Sequence, residues 1–228
     1  MPKYCLHEAG NTEVALLYLE KTADNLCMNR HLFLAVKCFF FFSVISLVTS
    51  LFFSCVTPPQ KEECSRELLG NGIKNSGQLV KFFMTHKSDG DEEKASRLAK
   101  FYVEEAAIEG INSDVAFVQM CLETGFLGFG NLVLPEMNNF CGLGAMDAEH
   151  PGEYFESEQI GVRAHIQHLQ AYATTAEVSL KQECVDPRYS WPHKAKFART
   201  VDELAGHWAT DSEYGVKLNN LLSELSGF

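Results

Sequence analysis

Residues 111–125, "INSDVAFVQMCLETG", decide how this chain reads. Asn112 or Ser113 can cap a helix, Asp114 suits its positive end, and Gly125 is the residue type that stops one. Between them Val115, Ala116, Phe117, Val118, Met120, Cys121 and Leu122 are apolar on nearly every face, the pattern of a buried helix. Glu123 falls in its last turn. Apolar surroundings disfavour a carboxylate, and so does the negative end of a helix; both effects raise its pKa. A carboxyl group kept protonated near neutral pH is what glycoside hydrolysis uses as a general acid, as lysozyme's glutamate does. The plain alternative is a helix-terminal glutamate that faces solvent.

Working outward, "SGQLVKFFMTHK" (76–87) places Leu79, Phe82 and Phe83 at helical spacing. "SDGDEEKAS" is a turn and a helix start, and "SRLAKFYVEEAAIEG" (96–110) carries Leu98, Phe101, Tyr102 and Ala106 as one stripe, with Gly110 as the stop. The stretch 125–158 is rich in Gly, Asn and Pro and reads as loops with a small β-hairpin. "SEQIGVRAHIQHLQAYA" (157–173) returns to helical period through Val162, Ile166, Leu169 and Tyr172. "VDPRYSWPH" is a structured loop, and the C-terminal stretch 200–228 reads as two helices broken near Thr210–Ser212. The fold class expected is α+β, mainly α-helical: a helical core with a small β-hairpin lobe flanking a cleft, over residues 75–228.

The N-terminal part differs. After basic Arg30 and Lys37, the run Cys38–Phe53 is 16 residues without a charge, short for a bilayer span and close to a signal-peptide apolar region. It closes on "LFFSC", similar to a bacterial lipoprotein signal in which Cys55 is lipidated, although Phe52 stands where leucine is usual. Residues 28–54 are therefore expected to be a lipoprotein-type signal, with Met28 the start and 1–27 a mis-assigned extension. The rival is an uncleaved anchor, Leu32 to Phe53, with Lys37 snorkelling. Either exports the remainder and ties it to a membrane. Residues 55–74 read as a polar linker.

The net charge is −11, and residues 1–54 hold four acids and four bases, so the acidity belongs to the folded part. No Lys/Arg cluster marks a nucleic-acid footprint, and none is expected as a partner. Of eight cysteines, Cys64, Cys121, Cys141 and Cys184 lie beyond the signal and Cys55. None forms a C-x-x-C pair, so zinc is not expected; one disulfide of open pairing is compatible with export. His165 and His168, three apart on a helix, could bind metal, but no third ligand is evident and exposed helical histidines are the simpler reading. Arg163 and Gln167 read as helix ties. Trp191, Tyr189 and Trp208 could stack on sugars or pack in the core. The glycines of "GFLGFG" lack phosphate-cradling spacing and would let backbone approach a glycan.

Five blocks in order carry a resemblance: "QMCLETGFLGFG", "NNFCGLGA", "GVRAHIQHLQAYA", "CVDPRYS" and "WATDSEYGVKLNNLL". Together they resemble the glucosaminidase domain of bacterial cell-wall hydrolases, glycoside hydrolase family 73 of the lysozyme-like superfamily, over roughly 75–228. The resemblance implies Glu123 as general acid in "E-[ST]-G". It implies Tyr214 as the tyrosine of "D-P-x-Y", stabilising developing charge or the substrate's N-acetyl group; Ser212 replaces the proline. Asn138, Asn139 and Phe140 match the start of the β-lobe and Phe126 takes the place of a tryptophan, all four expected at the substrate. A second carboxylate is implied from the lobe, with Glu149, Glu153, Glu156 and Glu158 as candidates and Glu156 favoured; an N-acetylated sugar can also assist its own cleavage. The function implied is endo-β-N-acetylglucosaminidase action on peptidoglycan by a monomer without metal or organic cofactor. The alternatives are a muramidase or lytic transglycosylase on the same scaffold, and a non-catalytic glycan-binding lipoprotein.

Overall fold

The computed structural model describes residues 62–194 and 197–228. The proposed extension, signal and lipid site, residues 1–55, lie outside the described residues. Five helices stand in the described part: α1 Ser76–His86, α2 Glu92–Glu109, α3 Ser113–Thr124, α4 Glu158–Ala173 and α5 Tyr214–Leu225. None is long and apolar enough to cross a membrane.

The caps are local chemistry. Asn75 and Gln78 exchange side-chain to backbone bonds in a capping box at α1. Asp91 caps α2, which ends on left-handed Gly110 at φ 74°. Asn112 caps α3 through Oδ1, while its Nδ2 donates to the carbonyls of Ser65 and Glu67 at 3.3 and 3.1 Å. Buried Asp114 accepts from the backbone amides of Ile73 and Lys74. These bonds fasten residues 62–74 to the domain, and Cys64 and Leu68 are buried in its core. That part of the expected linker is thus integral to the fold.

α3 is the central element. Val115 through Met120, including Gln119, are fully buried, between α2 on one side and α5 on the other. α4 packs along α2, tied by Arg163, whose guanidinium donates to Glu105 at 2.9 and 3.1 Å. Burial disfavours the Glu105 anion, but Arg163, Gln159 and Gln182 outweigh it and hold its pKa below the usual range.

Residues 125–157 form no hairpin ladder; one isolated bridge, Asp147 to His150, stands in its place. Backbone pairing across the loop is limited to single bonds such as the Glu153 amide to Leu143 O at 2.8 Å, and side-chain amides share the same backbone groups. Asn139 donates to the carbonyls of Leu143 and Glu153 and accepts from the Leu143 amide, and Asn138 donates to Phe155 O. Asn138 itself is left-handed, φ 50°, and packs so closely on α4 that a Cβ on Gly161 would stand 1.8 Å from its carbonyl oxygen. The second C-terminal helix also differs from expectation: only a 3₁₀ turn, Asp202–Leu204, forms before α5. Gly206 adopts φ 74° there, and the chain leaves helical geometry to carry Trp208 inward.

Candidate active site

Glu123 sits one turn from Gln119 on α3, at a cavity of about 290 Å³. Its carboxyl is partly accessible from that cavity. Tyr214, the first residue of α5, donates its hydroxyl to Glu123 Oε1, and Trp208 Nε1 donates to the same oxygen at 2.9 Å. Burial raises the Glu123 pKa, while the Tyr214 and Trp208 bonds oppose that rise. With two donors on Oε1, the proton of the acid form belongs on Oε2. Oε2 faces the chain at Gly142, where a Cβ would stand 3.8 Å away and φ is 67°. Gly142 lines the same cavity, so Oε2 lies beside its wall.

Behind the carboxyl runs a buried chain. Gln119 Nε2 donates to the Tyr214 hydroxyl at 2.8 Å, and Gln119 Oε1 meets His165 Nε2 at 3.1 Å. His165 Nδ1 meets the Tyr102 hydroxyl at 2.8 Å. Burial and the neighbouring His168 push the His165 pKa down to about 3, so it is neutral and has one N–H. An amide oxygen only accepts, which puts that proton on Nε2 and makes Tyr102 the donor to Nδ1. Every donor from Tyr102 to Tyr214 then points toward Glu123. Burial and the Glu123 charge raise the Tyr214 pKa well above its usual value, which keeps its proton available to donate.

The other expectations separate. Asn139 lines the cavity, but its side chain is spent holding the loop. Asn138 likewise fixes Phe155. Phe140 is fully buried core. Phe126 stacks on His86, with centroids 4.6 Å apart and planes at 8°, and faces α1 rather than the cavity. Glu156 is exposed and absent from the cavity wall, and Glu158 pairs with Arg97. Among the described residues Glu123 is the single carboxylate on that wall. His165 and His168 are buried, against the exposed reading, because α4 turns them onto Trp208, with ring centroids at 5.7 and 5.3 Å. Gln167, expected to tie helix to helix, instead ties α4 to the 183–186 loop, accepting from the Val185 amide at 2.8 Å and donating to the Glu183 carbonyl at 2.8 Å. The four cysteines are free, and the described residues contain no group of three or more side chains placed to hold a metal. The "GFLGFG" turn is left-handed at Phe126, Leu127 and Phe129, with Thr124 Oγ1 accepting from the Leu127 amide.

Gln119, Gly142 and Trp208 as a hydrogen-bond donor are site residues that the sequence reading missed. Gln119 left a signal: a polar residue one turn before Glu123 on an otherwise apolar helix. Trp208 left none, because its partner lies 85 residues away.

Residues 99–227 match the family described as mannosyl-glycoprotein endo-beta-N-acetylglucosaminidase. The chain belongs to the glucosaminidase family. An uncharacterized protein of Borreliella burgdorferi is 38% identical over 169 residues, covering 74% of this chain and 81% of that protein. No solved structure matches. Membership of the glucosaminidase family supports glycoside hydrolase chemistry on a peptidoglycan-type glycan at the family level, and the half-buried acid Glu123, its pKa raised by burial, is consistent with it.

Proposed function

We propose that this protein is an exported, membrane-anchored endo-β-N-acetylglucosaminidase that hydrolyses β-1,4 links after N-acetylglucosamine in peptidoglycan. The observation that carries the reading is Glu123 itself. It is a carboxyl at the wall of a cavity, its pKa raised by burial, with both protein donors on Oε1, and with Oε2 beside Gly142 of the same wall. In this role Oε2–H protonates the leaving glycosidic oxygen as the C1–O bond breaks, and Oε1 keeps its two bonds throughout. Tyr214 and Trp208 stabilise the carboxylate that the transfer leaves behind. Because no second carboxylate among the described residues lines the cavity, the substrate's own N-acetyl carbonyl is favoured to close on C1 and to be displaced by water, whose proton Glu123 takes. The basic-then-apolar composition of 28–54 and the Cys55 context support export and anchoring.

The test is digestion of purified peptidoglycan by the full chain, wild type beside Glu123→Gln, with mass spectrometry of the fragments. Wild-type release of reducing N-acetylglucosamine ends, lost in the variant, is the expected result. Anhydromuramic ends identify a lytic transglycosylase and reducing muramic ends a muramidase. Equal release by both proteins removes Glu123 from the mechanism, and glycan binding without cleavage makes the protein a binding module.

A further inference from the structure

A second cavity of about 190 Å³ adjoins the first and shares Cys141, Gly142, Ala145 and Trp208 with it. The two compartments differ in charge. Glu123 is the charged side chain of the first among the described residues, whereas Arg188 is the cationic side chain that lines the second.

Arg188 is distinctive among the described arginines. Arg97 and Arg163 are in ion pairs, Arg66 bonds to Asn219 and Ser223, and Arg199 lies over the Phe197 ring. The Arg188 guanidinium has neither a carboxylate within 4.0 Å nor a side-chain hydrogen bond among the described residues, in a chain of net charge −11. Its backbone is fixed nonetheless: Asp186 Oδ1 accepts the Arg188 amide at 2.8 Å, and Oδ2 binds His168 Nδ1 at 2.7 Å. That bond leaves His168 Nε2 as the ring's remaining polar atom in the same cavity. Trp191, 42% exposed, also lines this cavity. A half-buried guanidinium without an anion, held in a cleft beside an aromatic wall, is built for a carboxylate carried by a sugar.

Resting on the proposed function, we infer that this second cavity is a glycan subsite for the carboxylate-bearing sugar, with Arg188 its anion contact. The alternation of peptidoglycan makes the assignment independent of direction. If N-acetylglucosamine donates the bond that is cut, both of its neighbours are N-acetylmuramic acid, each bearing an O-lactyl carboxyl group. The compartment next to Glu123 must then accept an anionic ring on either side. If muramic acid were the donor, both neighbours would be neutral and Arg188 would face no anion. Arg188 thereby selects which of the two alternating β-1,4 links reaches Glu123.

The test measures binding by the full chain carrying Glu123→Gln, so that ligand is not consumed. Three probes are used: a peptide-free tetrasaccharide of alternating N-acetylglucosamine and N-acetylmuramic acid, the same with stem peptides, and chitotetraose. The peptide-free acidic tetrasaccharide is expected to bind at least about tenfold tighter than chitotetraose, the affinity ratio of one charge-assisted hydrogen bond. Adding Arg188→Gln should abolish that ratio and leave chitotetraose affinity unchanged, which also shows that the variant is folded; Arg188→Lys should restore part of it. Equal affinity for both glycans, or a preference that survives Arg188→Gln, overturns the subsite while the glycan reading stands. A preference confined to the peptide-bearing probe overturns it in favour of a peptide site. Binding of none of the three overturns the subsite and the proposed function together.

Discussion

Tyr214→Phe isolates one hydroxyl in a site where its two partners are known. The substitution keeps the ring, which is 5% exposed, and removes the donor to Glu123 Oε1 and the acceptor of Gln119 Nε2 at 2.8 Å. Tyr214 lowers the Glu123 pKa, so its loss must raise it. A hydrogen bond to a charged group contributes about 1.5–3 kcal/mol, which corresponds to a rise of roughly 1–2 pH units. Trp208 stays in place and limits the rise to that range. A general acid works only when protonated, so the alkaline limb of the kcat/KM profile reports its ionisation. That limb should move upward by roughly 1–2 units in Tyr214→Phe, while the maximal rate falls because the carboxylate left by proton transfer has lost a donor. The orphaned Gln119 amide should cost about 1–3 kcal/mol of stability in urea unfolding, so rates are compared below the unfolding transition. A limb that stays in place, or moves to lower pH, refutes the view that Tyr214 donates to the ionised acid. The same profile for Glu156→Gln should be unshifted, since that residue is exposed and off the cavity wall.

Two further outcomes concern the fold. The Glu123 pKa is raised in the folded state, so its stability contribution is complete below the unfolded value near 4.5 and is lost as pH rises through the folded value. Glu123→Gln should therefore be more stable than wild type in denaturant at pH 7, an advantage that disappears by pH 4; a variant less stable at both pH values contradicts this sign. Gly161→Ala places a methyl group 1.8 Å from the Asn138 carbonyl oxygen, a backbone atom that cannot swing away, and should cost at least about 2 kcal/mol. An unchanged melting temperature would show that the loop at Asn138 is not anchored on α4 as described.

Much of the helical frame was legible because its signals are local. Asn112, Gly110 and Gly125 act through bonds and dihedrals within a few residues, and the apolar run of α3 needs no partner to announce burial. Glu123 could be placed at the end of that helix for the same reason. The β-hairpin is not legible because glycine and asparagine signal a turn without fixing a ladder; here the amides of Asn138 and Asn139 share the loop's backbone groups with single backbone bonds. His165 and His168 were read as surface because their spacing shows a shared helical face and not which neighbour covers it. Phe126 and Phe140 showed the same limit, since apolar surface suits a sugar and a core equally.

The sequence by itself determined the helices, their ends, and one acid held at the close of a buried segment. Only the tertiary structure decided that Tyr214 and Trp208, 91 and 85 residues away, share one oxygen of that acid. Caps and periodicity are short-range effects, written in neighbouring residues. The pKa of Glu123 and the charge of the cavity beside it come from groups that meet only when α3, α4 and α5 pack, and separations of that length leave no trace in local pattern.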